Sequence, residues 1–488
     1  MSSKMNPEEL NTFALKIAIS QSRVASSTGG RGWWRRKGGR AVQKPEQKKT
    51  ETRSVVCASG DPSGLSARGM KALTPGRDDL QQFMQGLSDP YHPVTNEDGY
   101  LVLLVAENKL CWSMLKTKFS QCRDIEDWVP CYSDFKGVLR FREAISDMLQ
   151  DTFVQAPVSA DCILTQSGCG AILDSLAWCL AEPGDSCIVP SPLYPAFAND
   201  LRARGRVELV KARCKHPDYQ LTEDILEKTY QDCVASGSNP KLLLLCNPCN
   251  PNGVIYSEDT LKMCIQWAAC HDIHIICDEI YGNSTYTFAE GFSSISKVCR
   301  DLNPTSELYM GNNVHVAYGF SKDFGLSGMR VGVLFTHNKT LLSAVENLSY
   351  FQAVSNDTQS VLTKVLQDKD FVQEFVSENR RRLTAAYTGL EDAMAAIGVP
   401  LTPAQGSLMA WADFRRYLKE DTWEAEQELW MELFESSRVL FTTGSSCQSE
   451  VPGFFRICFA WPSASEEDPA IAMKELKKRL VAKFGPAK

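Results

Sequence analysis

The sequence predicts an α/β fold in which helices cover both faces of a mostly parallel β-sheet. Five short apolar runs of β type occur between residues 187 and 335, and most are apolar throughout instead of alternating with polar residues. Such runs are typical of strands buried on both faces of a sheet. Amphipathic helical patterns lie between several of them, and strands that alternate with helices favour a parallel sheet.

The predicted strands follow one another in a regular order. They are expected at residues 187–190, 242–246, 273–277, 314–318 and 331–335. The clearest helix between strands is expected at residues 171–180, whose apolar side chains recur at helical spacing on one face. These elements predict the large α/β domain.

The domain organisation follows from a change in pattern after Asn347, where long charged helical stretches begin. We expect a basic, disordered tail over residues 1–85, followed by an N-terminal arm that contributes to a small domain over residues 86–130. Residues 131–346 form the predicted large domain. Residues 347–488, with helices expected at 370–390 and 420–434, form a smaller α+β domain.

The composition excludes several classes of protein. The chain has 488 residues, of which 43% are hydrophobic and 23% are charged, as in ordinary globular proteins with two or three domains. Its longest apolar run is far shorter than the roughly 18 residues that a membrane-spanning helix needs, so no membrane segment is expected. This is not the composition of a fibrous or wholly disordered protein.

The charge is unevenly distributed along the chain. The net charge is −7, but residues 1–57 hold 12 basic and 4 acidic residues and so carry +8. The remainder holds 40 basic and 55 acidic residues and carries −15. Because phosphate contacts need clustered cations, we expect no nucleic-acid partner for this acidic body.

The cysteines indicate a reducing compartment. All 18 are scattered along the chain without a secretory signal, which predicts free thiols and a cytoplasmic location. Cys246 and Cys249 have the spacing of a metal pair but lack a second pair, so no metal is expected. The alternative location is a plastid, because residues 55–58 resemble a transit-peptide cleavage site, although Glu8 and Glu9 are unusual in such a peptide.

Reactive residues lie at the predicted carboxyl ends of strands. Lys322 follows an apolar strand in a loop punctuated by glycines, where partial burial would lower its pKa and make its amine a nucleophile or base. Asp278 and Asn250 also follow strands, and α/β sheets bind ligands at that edge. Residues 167–171 precede the amphipathic helix, whose N-terminal amides form an anion site. Each feature alone is also typical of an ordinary surface charge, cap or turn.

Five motifs together resemble those of a known enzyme family. They lie at residues 106–110, 247–251, 277–281, 321–332 and 455–460. With them the sequence resembles the fold type I pyridoxal-phosphate enzymes of the class I/II aminotransferase superfamily, and is most similar to 1-aminocyclopropane-1-carboxylate (ACC) synthases. The resemblance covers residues 91–459. It implies pyridoxal 5'-phosphate as the cofactor, and a homodimer, because sites in this family are shared between subunits.

The resemblance implies a role for each group around the cofactor ring. Lys322 would hold the cofactor covalently and, once released by the substrate amine, would act as the base at Cα. Asp278 would pair with the pyridinium nitrogen. Asn250 and Tyr281 would hydrogen-bond the phenolic oxygen, and Tyr194 would lie at the face of the ring.

The resemblance also implies the groups that bind phosphate and substrate. Arg330 would bind the phosphate beside the backbone amides of Cys169 and Gly170. Arg456 would bind the α-carboxylate of the substrate in a bidentate pair, which lysine cannot form. Glu107 matches a glutamate that lies near the sulfonium of S-adenosylmethionine in ACC synthases, where a carboxylate favours a cationic leaving group.

Three positions depart from the ACC synthase pattern. Phe135 stands where plant ACC synthases have a tyrosine that reaches into the neighbouring subunit's site. Gly319 and Gly170 replace a phosphate-binding serine and a threonine. One hydrogen bond to a charged group contributes about 1.5–3 kcal/mol, so these losses predict weaker cofactor retention and slower turnover.

Three functions fit these residues. The first is an ACC-synthase-type lyase that converts S-adenosylmethionine into ACC and methylthioadenosine. The second is an aminotransferase that acts on an amino acid and a 2-oxo acid, which Phe135 and Gly319 favour. The third is a binding protein that has kept the fold without catalysis, and the presence of Lys322, Asp278, Arg330 and Arg456 argues against it.

Overall fold

The computed structural model of the chain describes residues 64–73, 79–289, 291–460 and 468–487. The chain forms two compact units that divide after Lys71. In the first unit, the described residues 64–71 contain the helix α1 (Ala67–Lys71). Most of the predicted basic tail, with the cleavage-like site at residues 55–58, lies outside the described residues.

The second unit contains the remaining elements. Its strands are β1 (Leu101–Val102), β2 (Ile163–Gln166), β3 (Ser186–Ser191), β4 (Glu208–Arg213), β5 (Pro240–Cys246), β6 (His274–Asp278), β7 (Val314–Gly319), β8 (Gly332–Thr336), β9 (Met409–Asp413), β10 (Val439–Leu440), β11 (Thr442–Thr443) and β12 (Phe454–Cys458). Its helices are α2 (Leu80–Ser88), α3 (Trp112–Cys122), α4 (Leu139–Leu149), α5 (Cys169–Leu180), α6 (Phe197–Arg202), α7 (Glu223–Ala235), α8 (Glu258–Cys270), α9 (Ile295–Leu302), α10 (Lys339–Ser349), α11 (Asn356–Gln367), α12 (Lys369–Ala395), α13 (Trp423–Ser437) and α14 (Ile471–Phe484).

A seven-stranded sheet forms the centre of this unit, with the strand order β2-β8-β7-β6-β5-β3-β4. Strands β3 to β7 run parallel to one another, whereas β8 is antiparallel to both of its neighbours. Every residue of the inner strands β3, β6, β7 and β8, apart from the first residue of β6, is buried. The predicted α/β class with a mostly parallel sheet is confirmed, and all five predicted strands belong to this sheet.

The register brings the functional ends of the strands to one edge. Cys246 at the end of β5 pairs with Asp278 at the end of β6, and Asp278 pairs with Ala317 of β7. Gly332, the first residue of β8, lies between Gly319 and Gln166. The loops attached to these strand ends therefore surround one region.

A second, antiparallel sheet of order β11-β12-β9 lies in the C-terminal part of the unit. The segment after β1 is hydrogen-bonded to this C-terminal part. The Leu103 amide donates to the Leu440 carbonyl, and the Cys458 amide donates to the Leu103 carbonyl. The N-terminal arm and the strand that carries Arg456 are thus neighbours. The predicted domain boundaries at residues 85, 130 and 346 stay predictions.

Capping residues begin most of the long helices. Thr222, Ser257 and Ser294 each accept a hydrogen bond from a backbone amide in the first turn of α7, α8 and α9, as expected for these residue types. Helix α5 differs, because Gly168 precedes it and no side chain caps it. Among the described residues, none of the helices combines the length and the hydropathy that a membrane crossing requires.

Candidate active site

Asp278 is the last residue of β6 and is only 5% exposed. Its Oδ1 atom accepts hydrogen bonds from the Ile280 amide (3.2 Å) and from the Cys169 thiol (3.7 Å). Burial raises the pKa of Asp278 to about 6, while these donors and the charge of Lys322 act in the opposite direction. A cationic partner would therefore stabilise its carboxylate form.

Asn250 and Tyr281 form a buried pair beside Asp278. The Asn250 side-chain amide donates to the Tyr281 hydroxyl at 3.4 Å, and Arg456 Nη1 donates to Asn250 Oδ1 at 3.1 Å. Burial raises the pKa of Tyr281 well above its usual value, so the hydroxyl stays protonated. The pair can present a hydroxyl and an amide to one oxygen atom of a ligand.

Arg456 lies on β12 and is 4% exposed. Its Nη2 donates to the Leu104 carbonyl at 2.7 Å and to Thr442 Oγ1 at 3.0 Å, but its buried Nε has no acceptor in the described part of the chain. A buried donor without an acceptor costs about 1–3 kcal/mol. A carboxylate that reaches this guanidinium would supply the missing acceptor.

Lys322 follows β7 and is partly buried. Its Nζ donates to the carbonyl oxygen of Ala106 at 2.5 Å. Desolvation lowers its pKa, with the charge of Arg456 acting in the same direction, whereas Glu107 and Asp278 favour the ammonium. The predicted reactive amine thus has the environment that makes a lysine usable as a nucleophile or base.

Asp323 anchors the loop behind Lys322. This carboxyl is 1% exposed and accepts hydrogen bonds from the Asn283 amide (2.9 Å), the Ser284 hydroxyl (2.6 Å) and the Tyr318 hydroxyl (3.1 Å). Burial raises its pKa to about 7. No pattern in the sequence indicates this network, because Asn283 and Ser284 are about 40 positions from Asp323 in the chain.

The N-terminus of α5 forms an open cradle with Arg330. Gly168 has φ +99°, which favours glycine, and a Cβ atom there would lie 2.3 Å from Arg330 Nη2 and displace this guanidinium. Arg330 Nη1 donates to the Ser327 carbonyl at 2.9 Å and Nη2 donates to the Ser167 carbonyl at 3.2 Å. Backbone amides at a helix N-terminus next to a guanidinium suit a phosphate group.

The two glycine departures differ in the space around them. A Cβ at Gly170 would lie 3.5 Å from Asp200 Oδ1, an ordinary contact. A Cβ at Gly319 would lie 2.9 Å from the Val331 carbonyl oxygen, so the backbone would have to shift. A hydroxyl-bearing residue therefore fits at position 170 but not at position 319.

Tyr194 lies near Asp278 and Arg456, and Glu107 lies near Lys322. Burial raises the pKa of Tyr194, and the charges of Asp278 and Arg456 also affect it. Its ring packs edge-on against Phe197, with 5.3 Å between ring centroids. Glu107 Oε1 accepts a hydrogen bond from the Ser327 hydroxyl at 2.6 Å, a contact that no pattern in the sequence indicates.

Phe135 is not brought to these residues within the chain. Its ring contacts Tyr350 and Tyr132, with 5.4 and 6.4 Å between ring centroids. Tyr132 is 94% exposed and Tyr350 is 62% exposed. The structure thus places Phe135 at an exposed aromatic surface.

The fold and these side chains define an α/β enzyme that binds pyridoxal phosphate. The cradle of α5 and Arg330 fits the phosphate, the buried Asp278 fits the pyridine nitrogen, and the amine of Lys322 fits the point of covalent attachment. Asn250 and Tyr281 fit the phenolic oxygen. Among the described residues, no cluster of three or more histidine, cysteine or acidic side chains could hold a metal ion.

Comparisons with known proteins agree with this assignment. The sequence profile of the family "Aminotransferase class I and II" matches residues 126–473. The chain is 32% identical to 1-aminocyclopropane-1-carboxylate synthase 9 of Arabidopsis thaliana over 402 residues, which is 80% of this chain and 84% of the relative. It is also 32% identical to 1-aminocyclopropane-1-carboxylate synthase 6 of Oryza sativa subsp. japonica over 436 residues, which is 85% of this chain and 78% of the relative.

A solved structure gives the same fold. The aspartate aminotransferase from Rhizobium meliloti superposes with a TM-score of 0.68 over 87% of this chain and 99% of that protein, at 19% identity. The chain therefore belongs to the class I and II aminotransferase family. It is a pyridoxal-phosphate-dependent enzyme, and it is similar in sequence to ACC synthases.

Proposed function

We propose that the protein is an ACC-synthase-type lyase that converts S-adenosylmethionine into ACC and methylthioadenosine. The observation that carries this proposal is the position of Glu107. Its carboxylate accepts a hydrogen bond from Ser327, which lies in the same loop as Lys322, and its charge acts on Lys322. A carboxylate fixed beside the reactive amine favours a substrate with a positively charged leaving group.

The side chains of the site have separate roles in this reaction. Arg456 binds the α-carboxylate of the substrate and so fixes Cα relative to Lys322. The lowered pKa of Lys322 favours the neutral amine, which is the form that can accept the proton from Cα. Pyridoxal phosphate, when bound, would withdraw electrons from the bonds to Cα.

The test is the effect of Glu107 variants on turnover of S-adenosylmethionine. Glu107→Gln keeps the shape and can still accept from Ser327, but it removes the charge. We expect a fall of about 10-fold or more in kcat/KM for S-adenosylmethionine, whereas Glu107→Asp keeps the charge and loses less. Wild-type protein that releases neither ACC nor methylthioadenosine would contradict the proposal.

An aminotransferase is the second candidate, and the presence of phenylalanine instead of tyrosine at position 135 favours it. This side chain has no hydroxyl, so it cannot make the hydrogen bond that the corresponding tyrosine of plant ACC synthases offers. An aminotransferase would convert its bound cofactor to the pyridoxamine form with an amino acid and back with a 2-oxo acid. Absorbance of the loaded protein with a panel of donor amino acids measures this directly.

We also propose that two copies of the chain form a homodimer through the surface around Phe135. Tyr132, Tyr350 and Phe351 are 94%, 62% and 78% exposed there, and clustered exposed aromatic side chains are typical of interaction surfaces. A dimer would direct Phe135 toward the other subunit. A monomeric mass in solution together with full activity would contradict this.

The proposed compartment is the cytoplasm, with the plastid as the alternative.

A further inference from the structure

Cys169 connects two parts of the cofactor site. It is the first residue of α5, so its backbone amide belongs to the phosphate cradle, and its thiol lies 3.7 Å from Asp278 Oδ1. The residue is 8% exposed. One residue thus contacts both the anion-binding helix end and the carboxylate that fits the pyridine nitrogen.

The hydrogen bonds of Asp278 are unevenly shared between its two oxygen atoms. Both protein donors, the Ile280 amide and the Cys169 thiol, point to Oδ1. In the part of the chain that the structure describes, Oδ2 receives no hydrogen bond. Two donors on one oxygen fix the rotation of the carboxyl group and leave the other oxygen for a ligand.

The thiol acts as a donor in this contact. Burial and the neighbouring charge of Asp278 raise the pKa of Cys169 well above its usual value, so the S–H proton is retained. An S–H group is a weak donor, but it counts for more where water is excluded. A residue without a donor at this position would leave the Ile280 amide as the only one on Oδ1 from the described residues.

We propose that Cys169 is a positioning residue for the cofactor, which holds Oδ1 of Asp278 through its thiol so that Oδ2 faces the pyridine nitrogen. This role of Cys169 concerns cofactor binding, and it does not depend on which reaction follows. The sulfur atom itself does not react.

Other titratable groups also surround Asp278 and contribute to its pH dependence. Those that face it are Cys169, Tyr194, Asp200, Cys246, Tyr281 and Lys322. On its own strand and the following turn, Cys277 and Glu279 also interact with it electrostatically. All except Cys169 are unchanged in the variants below, so a difference from wild type reports the thiol.

The experiment compares three substitutions in the full-length protein. Cys169→Ala and Cys169→Val remove the donor, with smaller and larger side chains, whereas Cys169→Ser keeps a donor. The affinity of cofactor-free protein for pyridoxal phosphate is measured from the absorbance of the bound cofactor between pH 5 and 8. Cys187→Ala, a buried thiol on β3 whose Sγ bonds the Ile188 carbonyl, is the matched control.

We expect the loss of the donor to weaken binding on the acid side. Without the thiol, the pKa of Asp278 rises, its carboxylate is protonated at a higher pH, and its charged contact with the pyridine nitrogen is lost sooner. As the pH is lowered, the Ala and Val variants should begin to release the cofactor at a higher pH than wild type does. Near pH 6 they should bind it about 2- to 10-fold more weakly. The Ser variant should stay closer to wild type.

Other outcomes overturn the proposal. These are equal pH profiles for all three variants and wild type, a Ser variant as impaired as Ala and Val, or effects that follow side-chain volume instead of the donor. Thermal unfolding of the cofactor-free variants separates a folding defect from a binding defect. Val and Ser test the proposal if Ala does not fold.

Discussion

Arg456 has the most specific geometry of the candidate binding residues. Three of its contacts fix the guanidinium, and its buried Nε has no acceptor among the residues that the structure describes. We expect Arg456→Lys to raise the KM for the amino-acid substrate by about 10- to 150-fold, because lysine cannot form the planar pair. The absorbance of the bound cofactor should not change. A KM equal to that of wild type would place the substrate carboxylate elsewhere.

Ser327 is the second single-residue test. Its hydroxyl holds Glu107, and its carbonyl accepts from Arg330. Ser327→Ala should release Glu107 and lower kcat/KM for S-adenosylmethionine by about 10-fold, with little change in cofactor affinity because the carbonyl contact remains. Ser327→Thr keeps the hydroxyl and should retain most of the activity. Equal activity of the two variants would count against a positioning role.

At the scale of elements, the helix α5 and the strand β7 meet at the phosphate cradle. Gly170→Thr adds a hydroxyl where the structure has room, so it should tighten cofactor binding by about 3- to 10-fold. Gly319→Ser forces a Cβ toward the Val331 carbonyl and should lower the melting temperature. Equilibrium binding of pyridoxal phosphate and thermal unfolding measure the two effects. The reverse order of the two variants would contradict this reading of the cradle.

The strands could be predicted where burial makes them apolar on both faces. That holds for β3 and β5 to β8, which lie inside the sheet. Strand β4 was not predicted from the sequence, because it is an edge strand with charged residues such as Glu208 and Arg213. Burial patterning gives no signal for such a strand.

The site was predictable to the extent that single residues at strand ends carry it. Asp278 ends an apolar strand, Lys322 and Asn250 follow apolar strands, and a parallel sheet brings such ends to one edge. The contacts of Lys322 with Ala106, of Ser327 with Glu107 and of Cys169 with Asp278 depend on tertiary packing. They join residues more than 100 positions apart in the chain, which no local pattern specifies.

At the scale of the whole molecule, Asp200 links stability to pH. Burial raises the pKa of this carboxyl to about 7, and the charges of Asp278 and Asp174 add to the shift. A carboxyl with a raised pKa destabilises the fold once it ionises, so the cost begins near pH 4, grows until about pH 7 and then stays constant. Removal of the charge should therefore stabilise the protein at neutral pH.

Asp200→Asn tests this linkage. Relative to wild type, the cofactor-free variant should gain stability on the order of 2–4 kcal/mol at pH 8 and little at pH 4. Urea unfolding at the two pH values provides the comparison. A difference that is the same at both would show that the ionisation of Asp200 does not set it.

The function of the molecule depends on one reaction, and product analysis tests it most directly. Protein saturated with pyridoxal phosphate is incubated with S-adenosylmethionine, with Lys322→Ala beside it. We predict ACC and methylthioadenosine in equal amounts from the wild type and neither product from the variant. No ACC from the wild type, while amino acids still change the absorbance of the bound cofactor, would contradict the synthase assignment and leave the aminotransferase.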